Sequence, residues 1–163
     1  MAELPSWASN DIIKFTIFLS LVAAAAFFGG QWGAKDWYRA LSKPRWTPPS
    51  WLFPPVWTLL YVMIAMAGLV VWNTAHESRG LLLGLWGTQL IVNSLWSYFF
   101  FGRRDIALGL VDIMTLWVVI AAFIVTAWPV SRLASVLFMP YLVWVSYATA
   151  LNASILRRAA ERA

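Results

Sequence analysis

Residues 106–131 read IALGLVDIMTLWVVIAAFIVTAWPVS, 26 consecutive positions in which Asp112 is the only ionisable side chain. A helix crosses the hydrocarbon core of a bilayer with roughly 20 apolar residues, so this stretch is long enough to span on its own. Outward from it, charged residues punctuate the chain and leave four more such windows, 15–34, 46–75, 80–102 and 133–156, none of which carries Lys, Arg, Asp or Glu. Backbone groups in lipid must pair within their own segment, and the alternating pattern of a membrane barrel is absent. The expected fold is therefore all-α: an integral membrane bundle of five transmembrane helices, one domain over residues 1–163. The helices are placed at about 12–32, 51–73, 80–101, 106–128 and 133–156 by these windows. The first window is too long for a signal-peptide core and lacks a basic leader, so it is read as a helix of the mature protein.

Composition agrees. Of 163 residues, 61% are hydrophobic and only 12% charged, with mean hydropathy +0.70, whereas charged residues make up about a quarter of an ordinary soluble domain. Lys35, Arg39, Lys43, Arg45, Arg103, Arg104, Arg157, Arg158 and Arg162 fall on the face shared by the first loop, the third loop and the C-terminus. Lys14, Arg79 and Arg132 fall on the other. That bias places the N-terminus outside and the C-terminus in the cytoplasm of a bacterial cell membrane, with an outer membrane as the alternative. The partner these features imply is the lipid bilayer, not a nucleic acid. The chain has no cysteine and one histidine, His76, which excludes disulfides, thiolate metal sites and cysteine nucleophiles and leaves no metal cluster to expect.

The one long connector, about residues 33–50, holds Pro44, Pro48 and Pro49 and leads into Pro54 and Pro55. Proline fixes φ and lacks a donor, so the loop is expected to be stiff and non-helical, a lid-like strap or a rigid corner on the basic face. With about 1.5 Å of rise per residue, Trp57, Asn93, Trp96 and Ala148 come to similar depths beneath that loop, and Trp144 lies somewhat deeper. Helical spacing puts Gln89, Asn93 and Trp96 on one face, Trp57 and Tyr61 on another, and Trp144, Ala148 and Asn152 on a third. Amides facing lipid are costly, so these faces should point inward and line a pocket for a large, flat, mostly apolar guest. Interhelical packing is an equal reading for Trp86, Trp117, Gln89 and Asn93. Interfacial belts account for Trp7, Trp32, Trp37, Trp46, Trp51, Trp72 and Trp128.

Asp112 is an intramembrane carboxylate, by default a proton, ion or counter-ion site. The structural alternative, pairing with Arg103, Arg104 or loop donors, is the one carried forward. Gly80, Gly84 and Thr88 form a stripe of small residues suited to close helix approach and are expected to form a homodimer interface. No serine–histidine pair, paired carboxylates or phosphate loop marks a conventional enzyme.

The run Trp37-Tyr38, Leu41, Lys43-Pro44, Trp46, Pro48-Pro49, Trp51, Pro54, Val56-Trp57 resembles the first loop of the TspO/translocator protein family, the tryptophan-rich sensory proteins or peripheral-type benzodiazepine receptors. Gln89-Leu90, Asn93, Trp96, Phe100-Phe101-Gly102, Ala107-Leu108, Val111-Asp112, Pro140-Tyr141-Leu142, Trp144, Ala148-Thr149 and Leu151-Asn152 continue the likeness in order. The resemblance implies a dimeric five-helix bundle that binds porphyrins such as protoporphyrin IX and haem, along with isoquinoline carboxamide ligands, and acts in tetrapyrrole transport, sensing or regulation. Its pocket residues fall on Tyr38, Pro48, Trp57, Tyr61, Asn93, Trp96, Trp144 and Ala148. The sterol-recognition order of animal members is broken, since Ala153 stands at the tyrosine position, so the likeness does not extend to sterol.

On this view the macrocycle stacks on indoles while its propionates face Lys35, Arg39, Lys43 and Arg45. Two alternatives stand beside it. One is light-dependent porphyrin degradation with Trp57 as the reacting indole, the bound pigment supplying the reactivity. The other is a small channel or transporter not specific for porphyrins, with Asp112 as its gate.

Overall fold

The computed structural model describes residues 6–33 and 35–161 and consists, among these, of six helices without strands. They are α1 (Ser6–Gly30), α2 (Lys35–Ala40), α3 (Phe53–Trp72), α4 (Arg79–Ser97), α5 (Ile106–Ala127) and α6 (Arg132–Ala160). The side chains of Trp7 and Lys35, and all of Arg162, lie outside the described residues.

Local chemistry explains the boundaries. A 3-10 turn, Ser50–Leu52, leads into α3, whose first turn holds Pro54 and Pro55 where the missing N–H groups have no helical partner to lose. Asp105 caps α5 by accepting the Leu108 N–H at 2.9 Å, and Ser131 Oγ caps α6 by accepting from Ala134 at 3.3 Å. Beyond α4 the chain continues as a π-helical turn, Tyr98–Gly102. Arg104 then reverses the chain at φ 57, leaving both Arg103 and Arg104 exposed.

The long helices close a ring. α1 packs on α3 and α4, α3 on α6, α6 on α5, and α5 on α4. Inside lie Ile64, Leu82, Trp86, Leu116, Ile120, Phe123, Phe138 and Tyr141, all buried. At the crossing of α1, α3 and α4 the Trp86 indole donates to the Ile64 carbonyl at 2.8 Å, and the Phe18 ring meets Trp86 edge-on at 4.9 Å. Far from the loop, Lys14 Nζ donates to Asn73 Oδ1 at 2.9 Å and Asn73 Nδ2 to Asp11 Oδ1 at 3.1 Å, tying α1 to the end of α3.

Among the described residues, four segments are long and apolar enough to cross a membrane: Asn10–Gly30, Ser50–Trp72, Ile106–Ala127 and Arg132–Ala160. α4 falls outside this set because it spends its interior on Gly84, Gly87, Thr88, Gln89, Asn93 and Ser94.

The connector departs from the expected non-helical loop. Lys35–Ala40 is a helix that ends before the proline-rich stretch, and Lys43 folds back to close it. Asp112 also departs from expectation: it forms no ion pair with Arg103 or Arg104, and its Oδ2 has no partner among the described residues. The reason is geometric. The turn after α4 sends both guanidinium groups outward, whereas Asp112 sits nearly two turns inside α5, 8% exposed.

Candidate ligand site inside the bundle

Two aromatic groups meet on α4. The first joins α3 to α6: the Trp57 ring lies 5.2 Å from Tyr61 and 6.2 Å from Tyr141, and buried Asn93 on α4 lies near the Tyr61 phenol. The second lies nearer the loop, where Trp96 stacks on Phe100 at 5.1 Å and donates its indole N–H to Asn152 Oδ1 at 3.3 Å. Asn152 in turn donates to the Ile106 carbonyl at 2.9 Å, so one amide joins α4, α5 and α6. Gly109 lets α5 pack closely on this junction, since a Cβ there would stand 3.1 Å from Phe100 and the ring would have to give by a few tenths of an ångström. Asn93 and Trp96, one turn apart, connect the two groups.

The connector covers the second group. Tyr38 packs its ring on Phe100 and Phe101 at 6.2 and 5.7 Å, and Trp37 meets Phe100 at 5.5 Å. Burial, and then the charge of Tyr147, hold the Tyr38 phenol above its ordinary pKa of 10, so it stays protonated through the physiological range. Lys43 is turned inward to this structure: its ammonium donates to the carbonyls of Tyr38, Arg39 and Leu41 and stands 4.6 Å from the centre of the Tyr38 ring. Arg39 and Arg45 remain exposed. A second anchor fastens the far end of the strap, where Tyr147 on α6 donates to the Trp46 carbonyl at 2.6 Å. Tyr147 also stacks on Trp144 at 6.0 Å, and Trp144 packs against Phe53 at 5.6 Å.

The expected pocket residues are thus distributed as follows. Trp57 and Tyr61 on α3 and Trp96 on α4 pack half-buried against the main core, and Asn93 is buried on α4. Trp144 and Ala148 are half-buried on α6 beside that core, and Tyr38 covers the second group from the loop. Pro48 is half-buried in the extended segment and joins neither aromatic group. The Trp57–Tyr141 ring contact closes α3 on α6. Open concavities lie on the outer surface: a groove of about 480 Å³ between α1 and α4, lined by Leu21, Ala25, Phe28, Gly87 and Ile91 among others, and one of about 390 Å³ beside Trp128 and Met139.

Sequence reasoning quoted Tyr141 and Phe100 within the family likeness but did not place them in the site, and it gave Tyr147 no role there. The first two are among the largest fully or nearly fully buried side chains, and their position in a run of apolar and aromatic residues carries no signal that separates them from ordinary core. Of the other singled-out residues, Trp86 is interhelical packing and Trp117 donates to Ser146 Oγ at 2.8 Å. Gly80, Gly84 and Thr88 are exposed on α4, and both glycines face open space.

A ring of apolar helices with aromatic and amide side chains turned inward beneath a proline-rich connector defines a helical membrane protein of the polytopic bundle class. The family model described as TspO/MBR matches residues 16–158, and the chain belongs to that family of membrane proteins. It is 39% identical to the tryptophan-rich protein TspO of Chlorobaculum tepidum over 154 residues, covering 91% of this chain and 98% of the relative. It is 37% identical to protein CrtK of Rhodobacter capsulatus over 149 residues, 90% and 93% of the two chains. It is 38% identical to the human translocator protein over 156 residues, 94% and 91%.

Proposed function

We propose that this protein binds porphyrins, protoporphyrin IX or haem, within the bundle, and acts in tetrapyrrole transport, sensing or regulation. The observation that carries the reading is the junction of two aromatic groups at Asn93 and Trp96, closed by the connector. Indole and phenol faces offer the apolar area a flat macrocycle buries, and Trp57 and Asn93 add an indole N–H and an amide. A guest enters by parting the Trp57–Tyr141 ring contact between α3 and α6 and the Trp96–Asn152 bond between α4 and α6. The relatives' names, sensory protein and translocator, agree with such a role.

Arg39 and Arg45 supply the cationic rim, because Lys43 is committed to the end of α2. The test is a titration of the purified protein with protoporphyrin, haem and a sterol, read by intrinsic fluorescence. Arg39→Glu with Arg45→Glu is expected to weaken protoporphyrin about tenfold, consistent with losing two charge-assisted contacts at a partly solvated rim, while an uncharged isoquinoline carboxamide binds as before. Equal loss for both ligands would remove the propionate contact.

Three further assignments belong to this reading. α4 is the fifth span: its 19 residues rise about 28 Å, close to the hydrocarbon thickness, and its amides point into the ring instead of the lipid. The basic connector faces the cytoplasm of a bacterial cell membrane. The protein is a homodimer through Gly80, Gly84 and Thr88, whose exposed stripe admits a second backbone. Because Gly84 faces open space, Gly84→Leu should leave the single bundle folded and turn the dimer to monomer in mild detergent; a dimer that survives places the interface elsewhere.

A further inference from the structure

Among the described residues four side chains hold a buried polar atom without a partner: Trp32, just past the end of α1, and, on the long helices inside the bundle, Gln89, Tyr141 and Asp112. Gln89 is fully buried, and neither its Oε1 nor its Nε2 has a partner; Tyr141 is fully buried with its hydroxyl unpaired; Asp112 Oδ2 is a third orphan. Buried polar groups nearly always find a partner, and a bundle in lipid has no bulk water to supply one. Packing does not need these atoms, because Leu, Met or Phe would fill the same space.

Their placement is specific. Trp86, Gln89 and Asn93 follow one another along one face of α4. Trp86 donates to the Ile64 carbonyl and Asn93 lies near the Tyr61 phenol, so the face of α4 that carries Gln89 between them is turned toward α3. Tyr141 approaches the same helix from α6, with its ring 6.2 Å from Trp57 and its hydroxyl within electrostatic reach of Tyr61 and Asp112. Gln89 is one turn farther from the connector than Asn93. The orphan amide and phenol therefore lie beneath the aromatic surface, on the side away from the basic rim.

Resting on the porphyrin reading, a macrocycle whose carboxylates meet Arg39 and Arg45 turns its opposite edge toward these groups. We propose that Gln89 and Tyr141 form a polar floor that selects tetrapyrroles carrying hydroxyl or carbonyl groups on the edge opposite their carboxylates. Gln89 both donates and accepts, and Tyr141 does the same through one oxygen, so an oxygenated edge is satisfied in either sense. A vinyl or ethyl edge leaves both unpaired.

Three probes share the macrocycle and both propionates and differ at that edge: mesoporphyrin with ethyl groups, protoporphyrin with vinyl groups and haematoporphyrin with hydroxyethyl groups. Each is titrated into the full-length chain in detergent, and the ratio of affinities is compared between wild type and variants, in which micelle partitioning cancels. Wild type should bind haematoporphyrin about tenfold tighter than mesoporphyrin. Tyr141→Phe removes a single atom and should shrink that preference. Gln89→Met with Tyr141→Phe should reverse it, because the hydroxyls are then buried without partners. Equal affinities for the three probes in wild type, or an unchanged order in a double variant that retains its helical circular dichroism, would overturn the floor. Binding of protoporphyrin and mesoporphyrin in either of those outcomes leaves the porphyrin reading standing. Failure of all three to bind would overturn that reading and the floor together.

Discussion

Gly68→Leu is expected to destabilise the protein by about 3 kcal/mol, the upper range for overpacking a core. Gly68 is buried on α3 where α1 and α4 both press against it. A Cβ there would stand 2.5 Å from Phe18 Cδ1 and 2.9 Å from Trp86 Cε2, well inside contact distance. Neither ring can move aside cheaply. Trp86 is fastened to the Ile64 carbonyl, and Phe18 is held edge-on between Trp86 and Trp72. Even alanine would force α1 outward, and the roughly 1 kcal/mol that alanine gains over glycine in a helix does not offset the clash. Gly87→Ala is the matching control, since nothing lies within 4 Å of its Cβ position; it should be neutral or slightly stabilising. Unfolding in mixed micelles followed by circular dichroism gives both values. A Gly68→Leu protein as stable as wild type would mean that α1, α3 and α4 do not meet as described.

Trp57→Ala should weaken protoporphyrin binding by about 2–3 kcal/mol, on the order of a hundredfold, from the loss of a large aromatic face and the edge contacts it organises. Trp57 bridges α3 to α6 through Tyr61 and Tyr141, but it is only half-buried, so the bundle should survive the change. Trp57→Phe keeps a ring in place and should recover most of the affinity. The pigment's own absorbance is the proper readout, because the variant alters intrinsic fluorescence. Binding of wild-type strength in Trp57→Ala would take this residue out of the site.

How much of this was legible beforehand depended on the kind of signal. The apolar windows between charges marked every long helix, because hydropathy over 20 or more residues is a strong and redundant pattern. Helical period likewise placed Gln89, Asn93 and Trp96 on one face, of which Gln89 and Asn93 are buried and Trp96 half-buried. Period says which residues share a face, but not which neighbour they meet. The Trp46–Tyr147 contact joins residues 101 positions apart, and nothing local announces it. α2 was hidden by the prolines that follow it; Lys43 closes the helix from outside by bonding back to its carbonyls. Asp112 was open to misreading for a related reason. Its nearness in sequence to Arg103 and Arg104 suggested a pair, but the turn between α4 and α5 sends the two arginines and the carboxylate in different directions.

A structure of the protein with protoporphyrin bound tests the central claim most directly. The account predicts the macrocycle between α3, α4 and α6, with Trp57 and Trp96 against its faces, its propionates toward Arg39 and Arg45, and the Trp46–Tyr147 anchor nearby. A pigment seated instead in the outer groove between α1 and α4, against Leu21, Phe28 and Ile91 with the inner aromatic pairs still closed, would contradict it.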